Sequence, residues 1–240
     1  MPDRPIGGFG PHWPEFMHFA AEARDAAIQV ETADAKARPM RDALSAILFP
    51  ALAAEAFINE LPEAASRDAY GIRDLHLPAA PVLDDLALTL NAMELAHEGI
   101  QAKYDAARKI LTGRAFDHGV APFKDLDQLV KLRDHLVHPR HRDRTTALGH
   151  TEPASPVVRD LRQRGLTRTR GRRRGDPMGG MSWLSEIYCG RTAAWAHKAA
   201  CAVIVELINA LPRHERLWAM TSFRNWLASP AAQAQNPVTR

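Results

Sequence analysis

Apolar residues recur at helical spacing along most of the chain, and polar or Pro/Gly-rich breaks punctuate them. Pro14 opens a first helix running to about Val30, with Phe16, Phe19, Ala20 and Ala27 on its inward face. Thr32 to Pro39 is a polar break. A strong pattern follows from Met40 to Leu61, carried by Leu44, Ile47, Leu48, Ala51, Leu52, Ala54 and Ile58. Pro50 lies inside it and removes one backbone hydrogen bond, which predicts a kink or two helices in series; Pro62 closes the segment. Ser66 to Pro81 is a polar connection, Val82 to Leu111 is helical with an interruption near Gly99, and Thr112 to Pro122 is a loop.

The next helix starts near Phe123. Its inward face is made of Leu126, Leu129, Val130, Leu132, Leu136 and Val137. Arg133 points into the middle of that face, where a permanently charged group needs a reason to sit. His138 follows, and Pro139 behind it pushes His138 out of the helical region, so the helix ends there. One reading is a phosphate site with an imidazole beside it. The other is an arginine whose stem packs while its head reaches water, and a histidine at a helix end.

Residues 139–182 are polar and rich in Gly, Pro, Arg and Thr, too long for an ordinary loop in a compact domain. Ser182 caps a further helix to Leu211 that is apolar around much of its circumference, through Trp195, Ala199, Ala202, Val203 and Leu207. Pro212 stops it. A short amphipathic helix with Leu217, Trp218, Met220, Phe223, Trp226 and Leu227 comes next, and the tail from Ser229 predicts disorder. No β pattern or internal repeat is visible, so the architecture is an all-α bundle. The organisation reads as a lead and helix over 1–35, a helical domain over 36–211 interrupted by a basic insertion at 139–182, and a C-terminal helix and tail over 213–240.

Composition sharpens this picture. The 240 residues, 46% hydrophobic, suffice for one good core. The formal charge of +3 is uneven: residues 139–182 carry eleven Arg against four acids, a net of +7, and leave −4 on the rest. Such a segment suits a polyanionic partner. Arg159, Arg162, Arg164, Arg168, Arg170, Arg172, Arg173 and Arg174 lack interleaved aromatics, which points to phosphate-backbone contact rather than base stacking; a solvated loop without a role is the plain alternative. Cys189 and Cys201 lie too far apart along one helical pattern to pair, as in a reduced, cytoplasmic protein. The N-terminus shows no secretory h-region, and apolar runs are interrupted by Glu55 and by His197, Lys198 and Glu206, so no membrane span is expected. His135, His138 and His141 are spaced by three, but His135 points away from Arg133 and Pro139 breaks the geometry, so no metal is assigned. Gly7-Gly8-x-Gly10 lacks a preceding strand. Trp195, Trp218 and Trp226 read as core or interface anchors.

Arg133-Asp134-x-x-x-His138, at the end of an apolar helix, resembles the signature of the HEPN superfamily, Arg, a polar residue, three residues, then His. AAEAFINEL at 53–61 resembles that family's early helix, and KYDAARKILTG…FDHG at 103–119 its approach to the motif helix. These pieces cover most of residues 40–140, and the helix at 183–211 would close the bundle. A Tyr found two residues after the His in one toxin branch is Arg140 here. The resemblance implies a HEPN-like antiparallel bundle and a metal-independent endoribonuclease, a toxin or phage-defence effector, without cofactor. It implies a site composed across a homodimer, and a cognate antitoxin protein as a possible partner beside RNA. His138 would take the 2′-hydroxyl proton or protonate the leaving 5′-oxygen, and Arg133 would hold the scissile phosphate. Asp134 would orient one of them or stay a solvated surface carboxylate. Products would be a 2′,3′-cyclic phosphate and a 5′-hydroxyl, with Arg140 and the insertion arginines as RNA contacts. The other function class is a non-catalytic helical module that binds RNA, nucleotide or protein, with Arg133 as an interface charge.

Overall fold

The computed structural model describes residues 10–34, 39–66, 80–138, 156–168 and 183–227. Among them there is no strand, and the chain is all-α. The helices are α1 (Trp13–Ala33), α2 (Met40–Ala65), α3 (Pro81–Leu95), α4 (Ile100–Thr112), α5 (Phe123–Val137), α6 (Pro156–Gln163), α7 (Trp183–Ile187) and α8 (Gly190–Ala210). A 3-10 turn (Glu215–Leu217) then leads into α9 (Trp218–Thr221) and α10 (Arg224–Leu227). The expectations for the lead before Gly10, the Ser182 cap and the tail from Ser229 fall outside the described residues.

The bundle is built around α2, which packs on α1, α8 and α3. Its buried positions are mostly alanine (Ala43, Ala46, Ala51, Ala53, Ala54, Ala64, Ala65), with Ile47, Phe57, Ile58 and Leu61 between them. Small residues let neighbouring helix backbones come close while the larger ones fill the gaps. The helix runs through both Pro50 and Pro62 as one element of 26 residues, where the sequence predicted two in series or a kink and an end at Pro62. Side chains from α4 and from the 3-10 turn bond to it. Tyr104 Oη donates to Ala54 O at 2.9 Å, and Lys103 Nζ donates to Asn59 Oδ1 at 2.9 Å. At its C-terminus the buried Arg216 donates from Nη1 to Ala65 O (2.9 Å) and to Asp84 Oδ1 of α3 (2.7 Å). By length and composition α2 could cross a membrane, and half of its apolar window is buried inside the bundle.

α1 turns inward most of the face expected of it, with Ala20 and Ala27 buried and Phe16 packed against the core. Trp13, Met17, Ala20, Arg24 and Ala27 form the buried line, while Phe19 is half-exposed and leans on Phe49 at 5.4 Å. The interruption near Gly99 is real: His97 takes a positive φ of 56°, Gly99 caps α4, and Gly113 at φ 75° ends it. The helix expected from Ser182 to Leu211 is two elements, because the chain becomes extended at Cys189 before α8 begins at Gly190. Gly190 sits against α1. A Cβ there would lie 3.0 Å from Ile28 Cγ1 and from Glu31 Oε2, the oxygen that accepts the Gly190 N–H at 2.9 Å. Both cysteines are free and buried.

Inside the basic segment, α6 packs on α5 and buries Val157, Val158 and Leu161. Leu161 O accepts from Leu166 N, and Leu166 O in turn accepts from Thr192 Oγ1 of α8 at 2.7 Å. Residues 156–168 are thus built into the bundle.

Between α1 and α8 lies a buried polar contact. Arg24 Nη1 donates to His197 Nδ1 at 3.2 Å, and Cys201 Sγ lies 3.6 Å from the same nitrogen. Burial, then the nearby Arg24 charge, lowers the His197 pKa to about 3. Burial pushes the Cys201 thiol up to about 12, against the opposing Arg24 charge. The unfolded chain binds a proton at this imidazole below its ordinary 6.5, whereas the native state refuses it until about 3. His197 therefore contributes stability that is complete above pH 6.5 and is lost as pH falls, by up to about 1.4 kcal/mol per pH unit. Urea unfolding of the wild type should lose stability more steeply between pH 6.5 and 4 than His197→Asn, which keeps an acceptor but cannot titrate. Parallel slopes would contradict this.

Candidate functional site

α5 brings its apolar face to α2 and α8: Leu126, Leu129, Val130 and Leu132 are buried. Toward its end the helix emerges, so Leu136 is only partly covered and Val137 is exposed. Arg133 stands where the sequence placed it, with its side chain 20% exposed. The reason for a charge in that face is Glu55 of α2, whose Oε2 accepts from Arg133 Nη2. Asp134 Oδ1 adds a second carboxylate 3.1 Å from Arg133 Nη1. Two anions around one guanidinium offset its desolvation. The Arg133 Nε is buried and has no partner among the described residues.

His138 ends the helix with φ −122° and ψ 64°, outside the helical region that the following proline disfavours, and is exposed. Its N–H still donates to Asp134 O at 2.9 Å, so its position follows the helical register. Five residues at 100° each set it about 140° round from Arg133. Arg133 faces α2, and His138 belongs to the stripe of Asp127, Lys131 and Asp134, spaced at helical i, i+4, i+7 and i+11. No hydrogen bond joins Arg133 to His138 among the described residues. Asp134 touches both, through its carboxylate on one side and its carbonyl on the other.

Arg162 Nη2 pairs with the buried Glu186 at 2.7 Å. Arg164 Nη1 pairs with Asp125 (2.7 Å) and Asp160 (3.5 Å) and lies over Trp195, whose Nε1 donates to the same Asp125 carboxylate. These two arginines fasten α6 to α5 and α7. Arg159 is exposed on α6, and Arg168 donates its backbone N–H to Glu186 O. Arg140, Arg170, Arg172, Arg173 and Arg174 lie outside the described residues, as does His141. His135 donates from Nδ1 to Lys131 O at 2.6 Å. Of the three tryptophans, Trp195 is buried, Trp226 is partly buried and lies against His18, and Trp218 is exposed.

Sequence reasoning missed Glu55 as a partner. Its signal was a lone acid within the apolar run of α2, facing a cation set in the apolar face of α5, and only the fold says that the two meet. A double-mutant cycle on Glu55→Gln and Arg133→Met, followed by urea unfolding, should give a coupling of about 1 kcal/mol, since both side chains are partly solvated. Additive effects would show that the pair does not hold α5 to α2. Compared with known protein families, curated proteins and solved structures, the chain matches none.

Proposed function

We propose that this protein is an endoribonuclease in which Arg133 holds the scissile phosphate and His138 moves the proton. The observation that carries this reading is the placement of Asp134. Its carboxylate lies 3.1 Å from Arg133 Nη1, and one helical turn later the exposed His138 ends α5. A phosphate arriving at Arg133 takes over the role that Glu55 and Asp134 play without it. RNA supplies its own nucleophile. The 2′-hydroxyl loses its proton to a base as it attacks phosphorus, and the 5′-oxygen takes a proton as it leaves. The products are a 2′,3′-cyclic phosphate and a 5′-hydroxyl.

The divergence of the two side chains on α5 favours a shared site, in which Arg133 of one copy works with His138 of a second copy of the chain. This is also what the resemblance to HEPN proteins implies, and a toxin or defence role, an antitoxin partner and a cytoplasmic setting belong to the same proposal. A second reading rests on a specific observation. Because Arg133 is already paired with two carboxylates, it serves equally as a strut between α2 and α5 in a non-catalytic binding module.

Cleavage of single-stranded RNA separates the two. His138→Ala should lower the rate by about 10²–10⁴ and Arg133→Ala by about 10²–10³, with helicity retained by circular dichroism. A His138→Ala protein that cuts as fast as the wild type would remove the mechanism. For the basic segment, replacing Arg170, Arg172, Arg173 and Arg174 by serine should weaken RNA binding and flatten its salt dependence. Four lost phosphate contacts correspond to about 3 units of slope in log K against log salt. An unchanged slope would place the RNA contact elsewhere.

A further inference from the structure

A second cluster stands apart from Arg133, in a cleft of about 460 Å³ between α4, the loop after it and the first turns of α5. Its walls include Gln101, Asp105, His118, Phe123, Asp127 and Lys131. Three rings are stacked at its edge. Phe116 lies on Phe123 with centroids 5.1 Å apart and planes tilted 29°, and His118 lies on Phe123 at 4.4 Å and 21°. Phe116 and Phe123 are buried, and the His118 side chain is 64% exposed. The imidazole is held firmly for so exposed a group. Its Nε2 bonds Asp105 Oδ2, and Asp105 Oδ1 is braced by the Phe116 N–H at 3.0 Å.

The polar rim has a definite character. Asp127 accepts from Lys131 Nζ at 2.6 Å and from Gln101 Nε2 at 3.5 Å. Two carboxylates against one ammonium leave the cleft without excess positive charge, so a bare phosphate is a poor match. A planar ligand fits it better: an aromatic body to extend the ring stack, with N–H donors on its edge for a carboxylate. Guanine presents an imino and an amino donor side by side, the geometry that a carboxylate accepts in pairs. Uracil offers the same rim a single imino donor, N3–H, flanked by two carbonyl oxygens that the carboxylate repels.

We infer that the cleft lined by His118, Phe123 and Asp127 is a nucleobase site that takes guanine, stacked on the His118 ring and bonded through Asp127. The site stands on its own geometry and does not depend on RNA cleavage at Arg133 and His138. Should that cleavage hold, the stripe from Asp127 and Lys131 to His138 connects the two places along one side of α5.

Titration of the full-length protein with GMP and with UMP, followed through the His118 imidazole signals by NMR, tests this. GMP should shift the His118 ring resonances and bind at least tenfold more tightly than UMP. His118→Ala, an exposed position, and Asp127→Asn, which keeps the side-chain shape, should each weaken GMP at least tenfold. His138→Ala should leave GMP binding unchanged, which separates this site from the cleavage reading. Equal affinity for GMP and UMP, or wild-type GMP binding in both the His118→Ala and Asp127→Asn proteins, would overturn the assignment.

Discussion

The close approach of α1 and α8 to the alanine-rich α2 is the constraint from which the rest of this molecule follows. A helix with so many small buried side chains gains little from its own bulk. It is stable because neighbouring backbones come near enough for Trp13, Phe57, Tyr104 and Leu207 to fill the remaining space. Gly190 is a tight point between α1 and α8. A methyl group there would meet the Ile28 and Glu31 side chains, and the peptide N–H that approaches instead is bonded by Glu31. The charged groups enclosed along the way are matched: Arg24 by His197 and Asp25, Arg216 by Asp84 and a helix-end carbonyl.

The placement of α5 depends on this frame. Its apolar face is drawn to α2 and α8, and that docking carries Arg133 against Glu55. The ion pair then directs the guanidinium toward α2, and the proline after His138 directs the other end of the motif outward. Within one chain the two groups are therefore held on different sides of the same helix. The geometry that gives α5 its stability is the reason the proposed chemistry is assigned to a pair of chains.

Much of this was legible in the sequence, because helix periodicity and proline or glycine punctuation are local signals. The breaks at Gly99 and Pro139, the start of α5 and the all-α class all follow from them. Pairings between distant segments were not legible. Glu55 was read as an interruption in an apolar run, whereas it is the partner of Arg133 across the bundle. Arg162 and Arg164 were grouped with the other basic residues as RNA contacts. Their carboxylate partners, Glu186 and Asp125, come from helices on either side of the segment. On α1, Ala20 and Ala27 face inward as read, but the register set by Trp13, Met17 and Arg24 leaves the large, apolar Phe19 half-exposed. Tertiary packing, not the hydrophobicity of single residues, decided each of these cases.

The most direct examination of the central claim is a mixing experiment with two inactive proteins, Arg133→Ala and His138→Ala. A mixed pair keeps one site in which an intact Arg133 of one chain meets an intact His138 of the other. After exchange of subunits, RNA-cleaving activity should return to about a quarter of the wild-type level, as the symmetry of a two-site dimer requires. A mixture as inactive as each variant alone, under conditions where subunits exchange, would contradict the shared site on which the account rests.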